Sequence, residues 1–166
     1  MFRVATTLKL GTVLVAAAFL AACSSTKEEA PAPVAAAPAS SIVPGSAEDF
    51  RVNVGDSVFF DVDQHSIRPD AQAVLQKQAA WLKQYPQVKL LVEGHCDERG
   101  TREYNLALGD RRAYAVKEFL TSLGVDASRL QTKSYGKERP TCTESDDSCW
   151  QQNRRGYSVL AGGAGS

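Results

Sequence analysis

Hydrophobic positions between residues 57 and 160 fall into periodic blocks separated by glycine, proline and polar stretches. Ser57-Val58-Phe59-Phe60-Asp61-Val62 reads as a strand with a polar, bent end. Pro69 opens a helix, because proline is pre-set for the first helical position. Val74, Leu75, Gln78, Trp81, Leu82 and Tyr85 give that helix its apolar side, and Pro86 ends it. Residues 88–92 alternate Val88, Leu90 and Val92 against Lys89 and Leu91, the period of a strand. Residues 101–123 have a helical period, closed by Gly124. At about 100° per residue, Gly109, Val116, Leu120 and Leu123 share one sector, with Ala113 and Phe119 at its edges. Residues 130–135, before Gly136, and residues 155–160 complete the strands. The order β-α-β-α-β-β predicts an α+β fold, a two-layer sandwich with two main helices packed on one sheet.

Two polar residues interrupt the long helix's apolar sector, Asn105 and Arg112, whereas Asp110, Arg111, Tyr114, Lys117 and Glu118 fall outside it. An arginine on the buried side needs a partner, because desolvating an unpaired charge costs several kcal/mol. An acid stands close by in sequence: Asp97 lies just past the preceding strand, on the glycine-flanked loop 94–100. The residues leave two readings open. One is a pocket for a ligand that carries both charges. The other is a structural ion pair locking helix to sheet.

The N-terminal part lies outside this pattern. Arg3 and Lys9 give a positive start, and residues 10–20 form an apolar run broken only by Gly11 and Thr12. The run is too short for a permanent membrane span and reads with its flanks as a secretory signal over residues 1–22. Leu20-Ala21-Ala22-Cys23 resembles the bacterial lipobox, in which Cys23 is lipidated and becomes the mature N-terminus. Ser24 stands where an aspartate favours inner-membrane retention, so the resemblance implies the outer membrane, held by the acyl chains on Cys23. Residues 23–47 then form a tether whose Ala30-Pro31-Ala32-Pro33-Val34-Ala35-Ala36-Ala37-Pro38 core lacks aromatics and any core periodicity. At about 3.1 Å per residue, roughly 24 such residues reach about 70 Å. The folded domain is expected over 48–161, with a frayed glycine- and alanine-rich tail at 162–166.

Charge narrows the function. Lys+Arg 19 equals Asp+Glu 19, so there is no basic excess to suggest a nucleic-acid partner, and the loss of residues 1–22 removes two bases and no acid. Catalysis finds little support: the only histidines are His65 and His95. His95-Cys96-Asp97-Glu98 has consecutive rather than ligand-spaced donors. Asp61-Val62-Asp63-Gln64-His65-Ser66 lacks the downstream glycine and glutamate of a calcium loop. The reading is a non-enzyme with no metal site and no cofactor. Cys142 and Cys149 bound an acidic, polar stretch, and an oxidising compartment allows them to pair; the alternative, a metal clip, lacks nearby ligands of the right type. Cys96 is either a small buried apolar residue or a free thiol.

These residues resemble the OmpA-like peptidoglycan-binding domain family. The resemblance rests on Gly94-His95-Cys96-Asp97-Glu98-Arg99-Gly100-Thr101, Glu103-Tyr104-Asn105 and Leu108-Gly109-Asp110-Arg111-Arg112-Ala113. Phe59-Phe60-Asp61, Ser134-Tyr135-Gly136-Lys137-Glu138-Arg139-Pro140 and Asn153-Arg154-Arg155 extend it from about residue 57 to 160. The lipobox and the Pro/Ala tether set the chain with the family's lipoproteins rather than with its flagellar-motor or porin members. The resemblance implies a four-stranded mixed sheet. It also implies non-covalent binding of the diaminopimelate residue in the peptide stem of peptidoglycan, and so a tether between outer membrane and cell wall. By motif position, Asp97 and Arg112 carry over as the charged pair of the pocket, Asn105 and Leu108 as its wall, and Phe60 and Asp61 as first-strand contacts. TolB and the other Tol proteins, which link the envelope to division, are the implied protein partners. Three features depart from the family's usual pattern: Cys96 beside Asp97, the cysteine-bounded loop, and Gly156-Tyr157 after the double arginine.

Overall fold

A computed structural model describes residues 42–161. The signal segment, Cys23, most of the tether and the tail at 162–166 lie outside the described residues. Among the described residues, no helix is long and apolar enough to cross a membrane.

The architecture is the expected α+β sandwich. The elements are α1 (Ala47–Asp49) running into a π-helical turn (Phe50–Val54), β1 (Ser57–Phe59), α2 (Pro69–Gln84), β2 (Lys89–His95), α3 (Arg102–Ser122), a 3-10 turn (Ala127–Arg129), β3 (Leu130–Gly136), α4 (Asp147–Asn153) and β4 (Arg155–Ala161). The sheet has the order β1-β4-β2-β3. β2 and β3 are parallel because α3 is the crossover between them. β4 inserts between β1 and β2, antiparallel to both. The sheet is therefore mixed.

The helices follow the sequence pattern closely. Pro69 occupies the first position of α2. Thr101 caps α3, its hydroxyl accepting from the Tyr104 N–H at 3.2 Å. The α3 residues that turn inward are Asn105, Leu108, Gly109, Arg112, Ala113, Val116 and Leu120. Leu75, Leu82, Leu90, Val92, Val116 and Leu120 are completely buried and form the centre of the core.

Three features differ from expectation. β1 stops at Phe59, because Asp61–Gln64 turns back on itself: the Gln64 N–H donates to the Asp61 carbonyl, and Asp63 takes a positive φ. The chain ahead of β1 joins the core, with Phe50 packed edge-on to Trp81 and the Trp81 indole N–H donating to Asp49. The cysteine-bounded loop leads into α4, whose N-cap is Asp146.

α3 lies unusually close to the sheet. A Cβ on Gly94 would overlap the Gly109 carbonyl, and a Cβ on Gly109 would strike the Ser134 hydroxyl. Only glycine permits this approach, and it sets the depth at which Arg112 enters the fold.

Candidate functional site

Asp97 and Arg112 are brought to the same end of the sheet but do not pair. Arg112 has no exposed surface. Its guanidinium donates to three backbone carbonyls, from Nε to Gln64 at 2.8 Å, from Nη1 to His95 at 2.8 Å and from Nη2 to Asp61 at 3.1 Å. The Phe60 ring lies 5.2 Å away. Arg112 thus ties the turn after β1 to the end of β2, and neither sequence-based reading of its partner describes this arrangement. The reason is that a five-donor fork finds the carbonyls freed where strands end.

Asp97 has two other cations. Its Oδ2 accepts from Arg99 Nη2 at 2.7 Å and from Arg154 Nη1 at 3.1 Å, while Oδ1 accepts from the Arg99 Nε and backbone N–H. Burial pushes the Asp97 carboxyl up, but the bonds from Arg99 and Arg154 outweigh it and hold the pKa below the ordinary carboxylate value. Arg154 is itself buried, and it also donates to the Phe60 carbonyl and to Gln151.

A cleft of about 260 Å³ opens over this carboxylate, lined by Val62, Asp63, Asp97, Arg99, Gly100 and Tyr104. Two walls meet there: the turn after β1 and the loop leading into α3. Arg112 crosslinks the walls from behind. Asn105 braces the second wall, its amide donating to the Arg99 and Thr101 carbonyls at 2.7 and 3.1 Å. The Lys137 ammonium braces it from outside, on the Glu98 and Gly100 carbonyls.

Of the sequence-predicted residues, only Asp97 lines the cleft. Phe60 and Leu108 are buried behind it. The Asp61 side chain is exposed and accepts from Arg68 at 3.1 Å. Cys96 is a buried free thiol donating to the Asn105 carbonyl, and desolvation pushes its pKa up to about 11. It is a small packed residue, not a reactive one. Cys142 and Cys149 form a disulfide. Sequence reasoning missed Arg99, Arg154, Tyr104 and Val62 as site residues. Arg99 and Arg154 lie inside motifs that resemble the family's, but no periodicity aims a loop arginine or a residue at a helix end.

The OmpA family model matches residues 59–154. The chain is 63% identical over 127 residues to a protein named peptidoglycan-associated lipoprotein from Agrobacterium fabrum (strain C58), covering 76% of this chain and 71% of that protein. The crystal structure of the peptidoglycan-associated lipoprotein from Burkholderia pseudomallei aligns with a TM-score of 0.62 at 47% identity, over 63% of this chain and 89% of that one. The C-terminal domain of Helicobacter pylori MotB aligns with a TM-score of 0.61 at 23% identity, over 66% of this chain and 86% of that one, which is a likeness of fold alone.

Proposed function

This chain belongs to the OmpA family, among its peptidoglycan-associated lipoproteins, and from that premise we propose that it grips the diaminopimelate-bearing peptide stem of peptidoglycan without covalent chemistry. Diaminopimelate ends in an ammonium and a carboxylate on one carbon. The observation that carries the reading is the ionised Asp97 carboxylate on the cleft wall, with the half-exposed Arg99 fork beside it. Asp97 accepts from the ammonium, and Arg99 offers its planar fork to the carboxylate. Arg112 holds the two walls at the spacing the zwitterion needs. A stem with lysine in place of diaminopimelate leaves the Arg99 guanidinium without the ligand's carboxylate, so the site discriminates against it.

The rest of the chain turns that grip into a tether. Acyl chains on Cys23 hold the outer membrane, each buried CH₂ contributing about 0.8 kcal/mol, and the Ala/Pro segment sets the reach. The family's binding role, rather than catalysis, fits His95, which is buried and neutral with a pKa lowered to about 4. Val62 and Tyr104 expose apolar surface on the cleft's lining, and this is where TolB and its Tol partners are expected to dock.

Co-sedimentation with purified sacculi tests the reading. Asp97→Ala and Arg112→Ala are each expected to lower retention about tenfold or more, the first by stripping Arg99 and Arg154 of their anion, the second by releasing the turn after β1 from the end of β2. Arg111→Ala, on the exposed side of α3, should leave retention near wild type. Release of soluble wall fragments, or full retention by both folded site variants, would overturn the proposal.

A further inference from the structure

Both guanidinium groups that hold Asp97 depend on α4. Arg154 follows directly on that helix, and its Nη2 is fixed by Gln151, an α4 residue. Arg99 lies 4.2 Å from the centre of the Trp150 ring, also on α4, and the Trp150 indole N–H donates to the Glu98 carboxylate at 3.0 Å. A helix of seven residues is too short to hold its own shape in water. No α4 residue belongs to the main core cluster.

Besides the Trp150 and Gln151 contacts with Glu98 and Phe60, both ends of α4 are tied to one residue, Cys142. The first turn is bonded to it covalently through the Cys142–Cys149 disulfide. The last residue, Asn153, is bonded to it through the amide: Oδ1 accepts from the Cys142 and Thr141 N–H groups, and Nδ2 donates to the Cys142 carbonyl at 2.6 Å. Asn153 is buried, so these bonds are shielded from water.

We propose that α4, stapled at Cys142, is a positioning element of the stem-binding cleft: Arg154 orients the Asp97 carboxylate, Trp150 steadies the Arg99 guanidinium, and the disulfide keeps both in place. The inference rests on the reading of the cleft given above. It makes the grip on the wall sensitive to the thiol–disulfide state. When a dithiol reduces the bond, two electrons pass to the S–S pair, each sulfur takes a proton, and the dithiol closes to its own disulfide. The first turn of α4 is then released from Cys142.

The test is calorimetric titration of the full chain in detergent micelles with the tripeptide L-alanyl-γ-D-glutamyl-diaminopimelate, at a temperature where melts show every variant folded. The paired substitution Cys142→Ser and Cys149→Ser should weaken binding about tenfold. Dithiothreitol should weaken the wild type by a similar factor and leave the paired variant unchanged. Arg154→Gln should weaken binding and also move its acid limb to higher pH, because Asp97 loses one of the cations holding its carboxyl low. A purely structural role for Arg154 would not move that limb. A wild-type chain that fails to bind the tripeptide overturns the reading of the cleft itself. A wild type that binds, with variants and reduced protein within twofold of it and an unmoved acid limb, overturns the positioning role alone.

Discussion

Arg112 and Arg99 divide between them what the sequence assigned to one residue. Arg112 is completely buried and bonded to three carbonyls, two in the turn after β1 and one at the end of β2, whereas the Arg99 side chain is 41% exposed and faces the cleft. Their substitutions should therefore separate stability from binding. Arg112→Lys keeps the charge, but one ammonium cannot reach three carbonyls held by a planar fork. With hydrogen bonds to charged groups contributing roughly 1.5–3 kcal/mol each, we expect a loss of about 3 kcal/mol in thermal unfolding together with a loss of sacculus retention. Arg99→Ala should lose retention at a smaller cost in stability, because the Arg99 side chain is half-exposed and Arg154 stays on the buried Asp97 carboxylate. Equal destabilisation by the two would mean that the exposed arginine is structural. The buried orientation of Arg112 was legible in the sequence, since helical period fixes the direction of a side chain. Its partners were not: carbonyls of residues 61, 64 and 95 carry no side-chain signature.

Elements were legible where packing follows a period and obscure where it does not. α3 was placed to within a residue at each end because its caps, Thr101 and Gly124, are chemical signals in themselves. β1 was overextended because alternation cannot show where a turn diverts the chain. α4 was missed because seven residues cannot display a helical period, although Asp146 before Cys149 is a recognisable cap. The close contact of α3 with β2 was equally hidden, since a glycine in a sequence does not reveal what approaches it. That contact makes its own prediction. Gly94→Ala would drive a Cβ deep into the Gly109 carbonyl, while Gly109→Ala meets the Ser134 hydroxyl and, less severely, the Gly94 carbonyl oxygen at 2.9 Å. Overpacking of this kind costs about 1–3 kcal/mol, so Gly94→Ala should lower the unfolding midpoint more than Gly109→Ala. Both variants should also weaken sacculus binding, because lifting α3 draws Arg112 away from its carbonyls. A Gly94→Ala protein as stable as wild type would contradict the packing described.

For the whole molecule, acid is the condition that reaches the fold and the grip together. His95 is buried, stacked on Tyr135 at 5.5 Å, with its pKa lowered to about 4, chiefly by desolvation and then by Arg155. In the unfolded chain it titrates near 6.5. Between those values the unfolded chain binds the extra proton, so the histidine's contribution is complete above about pH 6.5 and is lost as pH falls toward 4. From pH 7 to pH 5 this amounts to about 2 kcal/mol. Glu93, 3.4 Å from His95, has its carboxyl raised by burial and acts in the opposite sense as pH rises through its own titration. The wild-type profile alone therefore mixes two groups. His95→Gln isolates one of them: denaturant unfolding should show the gap between wild type and variant narrowing by about 2 kcal/mol from pH 7 to pH 5. Asp97 enters only at lower pH, where protonation removes the partner of Arg99 and Arg154. The fold is thus expected to weaken before the cleft loses its charge, and a pH-independent gap between wild type and His95→Gln would show that the histidine is not held neutral by its burial.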